Sequence, residues 1–327
     1  MMQRSAIFTS LLLLVLSPLF LGCTMPNQTS ASPSATPTPE PLRFRVIAYV
    51  TDAIVPAAIP FEQLTHINYA FLIPNEDGTF RRLANAWKIA EVISSAHEHN
   101  VKVLISVGGW GWDAQFEAMA SDPATRTEFV KNLVAVVADN GFDGADMDWE
   151  YPDPGPSAQS FLALIQELRA ALPEGKLLTA AVAAVGEHGE GVLPETFPLF
   201  DFINLMVYDG DGTMHSSMEY AQASFDFWLG RGLPAEKAVL GVPFYARPNE
   251  MAYRKIVEID PSAAQTDFFD YYGTTINYNG IPTIQAKTRL AMERGSGIMF
   301  WTLEGDAPGE LSLLSAIHAV VTGAVQP

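Results

Sequence analysis

In Asp143-Gly144-Ala145-Asp146-Met147-Asp148-Trp149-Glu150-Tyr151-Pro152, carboxylates recur at every second position from Asp146 to Glu150. A strand sends alternate side chains to opposite faces, so Asp146, Asp148 and Glu150 share one face. Ala145, Met147 and Trp149 share the other, where covering helices would bury them. Neighbouring carboxylates on the acid face lie about 7 Å apart. Enclosing three of them is unfavourable unless they share protons or find partners. Such a row titrates as one interacting unit and holds at least one proton near neutral pH. A neutral Glu at its outer end is suited to general-acid work. Two other readings stay open on spacing alone, a solvated strand end and a divalent-cation site. A solvated end would not need the strict spacing of two beneath Trp149-Glu150-Tyr151-Pro152. Asp143 is out of phase with the row and reads as structural.

Outward from this stretch, short β-rich runs alternate with helical ones. The runs are Arg45–Val50, His66–Phe71, Val101–Val107, Gly144–Trp149, Leu177–Ala183, Phe202–Tyr208, Ala238–Tyr245 and Gly297–Trp301. Helical periodicity marks Ala84–His99, Pro123–Asn140, Ala158–Leu172, Met214–Gly230, Pro282–Arg294 and Glu310–Val321. Pro123 stands at a helix start, and Gly141 and Gly295 at helix ends. The connections after the first and fifth runs look irregular, with only short helical turns. Strand–helix alternation predicts an α/β fold with a parallel sheet and helices outside it. Eight pulses favour a closed (β/α)₈ TIM barrel over an open doubly wound sheet. Catalytic groups then belong at the C-terminal ends of the strands.

The chain has 327 residues, 48% of them hydrophobic, enough for a sizeable core. Nineteen Lys and Arg against 37 Asp and Glu leave a formal charge of −18, which argues against nucleic acid or an anionic membrane surface as a partner. The only cysteine is Cys23, so an intrachain disulfide and a cysteine-rich zinc site are both excluded. The histidines are scattered, and neither a metal nor a cofactor is expected.

The first residues carry Arg4 and then an apolar run, Ala6 to Leu21, that is short for a membrane span. The layout is that of a secretory signal over residues 1–22. It ends in Phe20-Leu21-Gly22-Cys23, which resembles the lipobox of bacterial lipoproteins and implies acylation of Cys23. Residues 23–41 are Ser-, Thr- and Pro-rich and read as an extended tether. One catalytic domain is expected over residues 42–327, lipid-anchored in the cell envelope and facing outside the cytoplasm.

Asp143–Glu150 matches the DxxDxDxE signature of glycoside hydrolase family 18, the chitinase family, with Tyr151-Pro152 trailing it as that family has. Thr65–Phe71 resembles the family's second strand, Ser106-Val107-Gly108-Gly109-Trp110 its third and Met206-Val207-Tyr208-Asp209 its sixth. Gly241–Arg247 and Gly297–Trp301 resemble its seventh and eighth. The likeness spans Val46 to Asp306. The acidic motif is highly specific, whereas SxGG or MxYD alone is weak.

The resemblance implies a retaining glycosidase acting on β-1,4-linked N-acetylglucosamine polymers or oligosaccharides by substrate-assisted catalysis. It implies Glu150 as the acid, Asp148 as the group holding the substrate acetamide, Asp146 as the partner of Asp148, and Tyr208 as a donor to the acetamide oxygen. Trp301 is implied as an apolar floor under the sugar, with Met206 beside Tyr208. Tyr49 and Phe71 are expected to line the same sugar or to be core, and Asp209, Tyr245 and Arg247 to bond sugar hydroxyls, unless Arg247 pairs an acid. Ser106, Gly108 and Gly109 are expected to serve close packing. Trp110 and Trp112 read equally as stacking platforms or as packing, and Gly186, Gly189 and Gly191 as a mobile loop. Only Pro248–Ser296 separates the last two strands, too little for the extra domain of larger chitinases, so a shallow cleft is expected. Phe268, Phe269, Tyr271, Tyr272 and Tyr278 read as its rim or as loop packing. The chain is expected to be a monomer. Related readings are an endo-β-N-acetylglucosaminidase or a peptidoglycan hydrolase. A non-catalytic chitin-binding lectin is disfavoured because Glu150 is present.

Overall fold

A computed structural model describes residues 44–210 and 212–324. The signal stretch 1–22, Cys23 and the tether 23–41 lie outside them. Eight parallel strands close a barrel. They are β1 (Arg45–Val50), β2 (His66–Leu72), β3 (Lys102–Gly108), β4 (Gly144–Asp148), β5 (Leu177–Ala183), β6 (Phe202–Met206), β7 (Ala238–Pro243) and β10 (Gly297–Trp301). Each pairs with its neighbour in chain order, except that β10 closes the ring between β7 and β1. The expected strands match these within two residues at every end.

Nine α-helices accompany the strands among the described residues: α1 (Ala86–Glu98), α2 (Asp113–Ser121), α3 (Pro123–Asn140), α4 (Pro156–Ala171), α5 (Glu187–Glu190), α6 (Met218–Gly230), α7 (Tyr253–Ile259), α8 (Ile281–Arg294) and α9 (Leu313–Val321). The start of α3 follows local chemistry. Asp122 accepts bonds from the amides of Ala124 and Thr125, and Pro123 supplies the first turn. Gly141 ends that helix with φ +79°, in the left-handed region open to glycine. Gly295 stands after α8 for another reason. Its backbone is extended, and a Cβ there would press on the Ala238 carbonyl and the Phe225 ring.

Alternation on the strands divides the core in two. Inside the barrel lie Ile47, Tyr49, Ala70, Ala181, Phe202, Met206, Val239 and Met299. Between strands and helices lies the larger outer core, which includes Ala145, Met147 and Trp149. Trp149 stacks on Phe116 at 5.1 Å, meets Phe161 edge-on, and donates its indole N–H to Asp113. The acid-face reading of β4 therefore holds, with Asp146 and Asp148 buried on the inner side.

Besides the unexpected helix α2, two features differ from expectation. The loop around Gly189 and Gly191, expected to be mobile, is packed tightly. A Cβ on Gly189 would strike the Phe227 ring at 2.7 Å, and one on Gly191 would strike the Pro152 carbonyl. Arg231 further donates to the carbonyls of Gly189, Glu190 and Val192. These glycines permit close approach rather than motion. Between β7 and α8, the chain forms α7 and an antiparallel hairpin of β8 (Phe268–Tyr271) and β9 (Thr274–Asn277). Phe269 and Tyr271 pack against the core and Tyr278 is buried, while Phe268 and Tyr272 face solvent.

Asp143 has a structural place at the foot of β4. It accepts bonds from His97 Nε2 and Lys102 Nζ, both 2.8 Å, and from the Val103 amide at 2.9 Å. Burial works to raise its carboxyl, but the bonds from Lys102, Val103 and His97 outweigh that and hold it below the usual range. Asp143→Ala is expected to cost about 1–2 kcal/mol in thermal or denaturant unfolding, with activity retained in the folded fraction. The native carboxyl is depressed, so its contribution is present above the ordinary Asp range. It should disappear as pH falls through the native value.

Candidate active site

The strand register of the barrel brings four donors onto Asp146. Tyr49 Oη from β1 lies 2.5 Å and Ser106 Oγ from β3 2.9 Å from its Oδ2. Thr179 Oγ1 from β5 lies 2.5 Å and Asn204 Nδ2 from β6 3.3 Å from its Oδ1. Burial nonetheless wins and raises its carboxyl, with these four bonds opposing. Ser106, expected only to pack, is thus a partner of the row. Thr179 was not singled out by sequence; the available signal was a polar side chain at an inward position of an otherwise apolar strand.

One step outward, Asp148 is also buried, and its Oδ1 has no hydrogen-bond partner among the described residues. Burial first, then the charges of Glu150 and Asp146, push its carboxyl well above the ordinary value. Glu150 stands at the mouth. Burial raises it to about 7, aided by the charge of Asp209 and opposed by a hydrogen bond from Tyr151. The row therefore grades outward, from a carboxyl with every oxygen engaged to one poised near neutrality.

The surrounding walls are aromatic. Trp301 stacks on Phe71 with centroids 5.4 Å apart and 20° between planes, and lies 5.6 Å from Tyr49. Gly109 leaves room for the Phe71 ring, and Gly108 for the Phe116 ring and the Asp148 carbonyl. Tyr49 is the most withdrawn of the expected sugar contacts, being 1% exposed with its hydroxyl given to Asp146. Met206 and Tyr208 line the opposite wall. Asp209, with φ +62°, is clamped by Arg247 through two bonds of 2.7 and 2.6 Å and by the Tyr245 hydroxyl at 2.7 Å. Burial would raise the Asp209 carboxyl, but bonds from Arg247, His215 and Tyr245 hold it well below the usual range. Arg247 also pairs with Glu250, so it does pair acids.

Asp148, Glu150 and the wall residues Tyr49, Phe71, Met206, Tyr208, Asp209, Tyr245, Arg247 and Trp301 line one cleft of about 1110 Å³, and Asp146 is buried behind it. Trp110, 78% exposed, and Trp112, under the Arg81 guanidinium at 4.1 Å, lie on its margin. Tyr151, read from sequence only as part of the acidic motif, also lines it, as do His188, Tyr220 and Glu304, to which sequence assigned no site role. None of the five aromatics of residues 268–278 does; Phe269, Tyr271 and Tyr278 pack into the core, and Phe268 and Tyr272 face solvent. A smaller cavity of about 510 Å³ opens at the other end of the barrel, between Arg45, His66, Lys102 and Lys237. It holds no part of the acid row.

Barrels of this type carry their chemistry at the strand C-termini. A carboxyl poised near neutrality over an apolar floor is what acid-assisted cleavage of a glycosidic bond requires. The fold and site define a glycoside hydrolase. The pattern of glycosyl hydrolases family 18 matches residues 45–306, and the chain belongs to that family.

Chitinase 1 of Aphanocladium album is 27% identical over 342 aligned positions, covering 80% of this chain and 80% of that protein. Among solved structures, the family 18 chitinase ChiB from the chitin utilization locus of Flavobacterium johnsoniae superposes with TM-score 0.75. It is 31% identical, covering 86% of this chain and 95% of the other. A chitinase from Bacteroides thetaiotaomicron gives TM-score 0.77 at 28% identity, covering 86% and 98%.

The charge of Asp209 contributes to keeping the Glu150 proton. Asp209→Asn removes it and leaves Arg247 positive, so Glu150 should ionise at lower pH. The alkaline limb of the pH–rate profile is expected to move downward; a shift upward would contradict this electrostatic assignment.

Proposed function

We propose that the enzyme hydrolyses β-1,4-linked N-acetylglucosamine polymers or oligosaccharides with retention, using the substrate's own acetamide as nucleophile. The observation that carries this reading is the placement of the carboxylates. Asp148 ends β4 two residues before the acid, with a buried oxygen left unpartnered. Asp209 and Glu250 on the cleft wall are engaged by Arg247, and Glu304 accepts bonds from the Thr51 amide and hydroxyl. Among the described carboxylates lining the cleft, only Asp148 and Glu304 keep a buried oxygen without a partner, and Asp148 is the one beside the acid. The chitinase names of the relatives support the substrate class.

Glu150 transfers its proton to the glycosidic oxygen as the bond to the anomeric carbon breaks. The acetamide oxygen closes on that carbon, giving an oxazolinium ion and releasing the leaving sugar as an alcohol. Asp148 accepts the acetamide N–H and, passing its proton into sharing with Asp146 behind it, offsets the positive charge developing there. The Tyr208 hydroxyl donates to the acetamide oxygen; burial keeps that hydroxyl protonated. Trp301 supports the distorted ring. Water then attacks the anomeric carbon, giving its proton to the Glu150 carboxylate and reopening the acetamide. Two inversions at one carbon leave the β-configuration.

Glu150→Gln is expected to fold normally and lose at least about a hundredfold in rate on chitin oligomers. NMR of fresh products should find the β-anomer first. Cello-oligosaccharides and fully deacetylated chitosan, which lack the acetamide, should remain uncut. Inverted product, or comparable turnover without the acetamide, overturns the reading. Cleavage confined to a high-mannose glycopeptide or to peptidoglycan would reassign the substrate within the same chemistry.

We further propose that the enzyme works as a monomer held at the cell envelope by acylation of Cys23, the sole cysteine, directly after Gly22. Cys23→Ser should release the protein from membranes or block its processing. Wild-type protein found wholly soluble, with its mature N-terminus elsewhere, contradicts the anchor.

A further inference from the structure

Tyr151 follows the acid directly and lines the same cleft, and hydrogen bonding from its hydroxyl works to lower the Glu150 carboxyl. Its ring is covered by His188 of α5, with centroids 4.7 Å apart and planes at 22°. The helix presenting His188 is fixed from both sides. Gly189 lies against the Phe227 and Trp228 rings of α6, and Arg231 binds three carbonyls of the same turn. Gly191 abuts the carbonyl of Pro152, the residue after Tyr151. The imidazole is therefore delivered by a rigid support onto one face of the tyrosine ring that follows the acid.

We propose that His188 is a positioning residue for the acid: by stacking on Tyr151, it holds the tyrosine hydroxyl on Glu150. This rests on the reading of Glu150 as the proton donor. As the proton leaves Glu150, the carboxylate that forms accepts a stronger hydrogen bond from Tyr151 than the neutral acid did. A fixed Tyr151 therefore stabilises the charge developing in the transition state and keeps the acid from titrating too high. Glu150 is otherwise faced by Asp148, Tyr208 and Asp209. Tyr151 is faced also by Asp148 and Tyr220. His188 acts by shape, so an uncharged ring of similar size should replace it.

The test compares His188→Ala, His188→Phe, Tyr151→Phe and the double variant His188→Ala/Tyr151→Phe on soluble chitin oligomers. The readouts are kcat, KM and the Glu150 carboxyl titration of the resting enzyme by ¹³C NMR. His188→Ala should lower kcat roughly tenfold, well short of the loss from misplacing a reacting group fully. It should also move the Glu150 titration and the alkaline limb upward. Tyr151→Phe should move both in the same direction, and the double variant no further. His188→Phe should restore kcat and titration together. A His188→Ala enzyme with a raised KM and an unmoved titration would make His188 a sugar contact and overturn the proposal. So would a folded His188→Phe enzyme that behaves like His188→Ala. Glu150→Gln separates the two levels: if it stays active, the acid assignment fails whatever His188 does. If it is inactive while His188→Ala leaves the titration in place, only the role of His188 fails.

Discussion

The site depends on the satisfaction of one buried carboxyl group, that of Asp146. A charge enclosed in a barrel is tolerated only when it is hydrogen-bonded or protonated. Four donors from β1, β3, β5 and β6 converge on it, and only closure of the ring brings them there. None of these four donors reaches the next acid outward. Asp148 is left buried with an oxygen unpartnered and its carboxyl raised. Fold and chemistry are thus joined at a single residue. The bonds that let an acid sit in the barrel core also leave its neighbour in need of a partner, and a substrate amide is a suitable one.

Glu150 is controlled from three directions. Burial holds its proton, the Asp209 charge helps to hold it, and the Tyr151 hydroxyl opposes. Asp209 is itself kept ionised by the Arg247 clamp. Arg247 therefore reaches the acid through Asp209, whether or not it also meets a sugar hydroxyl. Trp301 and Phe71 stack in the same cleft as this group, and between β7 and α8 the chain forms only α7, a short helical turn and the β8–β9 hairpin.

The parts legible in the sequence were those set by local rules. Period-two alternation put Asp146 and Asp148 inside and Trp149 outside, and Pro123 and Gly141 bounded a helix. The hairpin β8–β9 was not legible, because its turn uses Tyr272 at φ +51° followed by Gly273 rather than Asn-Gly or Asp-Gly. Helix α2 was missed too; its nine residues follow a glycine-rich loop and bury only Phe116, Met119 and Ala120. Contacts between distant segments were also beyond it. Thr179 reaches Asp146 only because β4 and β5 pair in register, and Gly189 and Gly191 read as a loose loop until α6 and Pro152 close on them.

The central claim is that the barrel holds a proton on this carboxylate row at neutral pH. The most direct measurement is a ¹³C carboxyl titration of Asp146, Asp148 and Glu150 in the resting wild-type enzyme. The account predicts that Glu150 titrates near 7 and that Asp148 stays protonated well above the ordinary aspartate range. If all three ionised together at about 4, as free carboxylates do, the row would carry no proton to give. That result would contradict the account at its foundation.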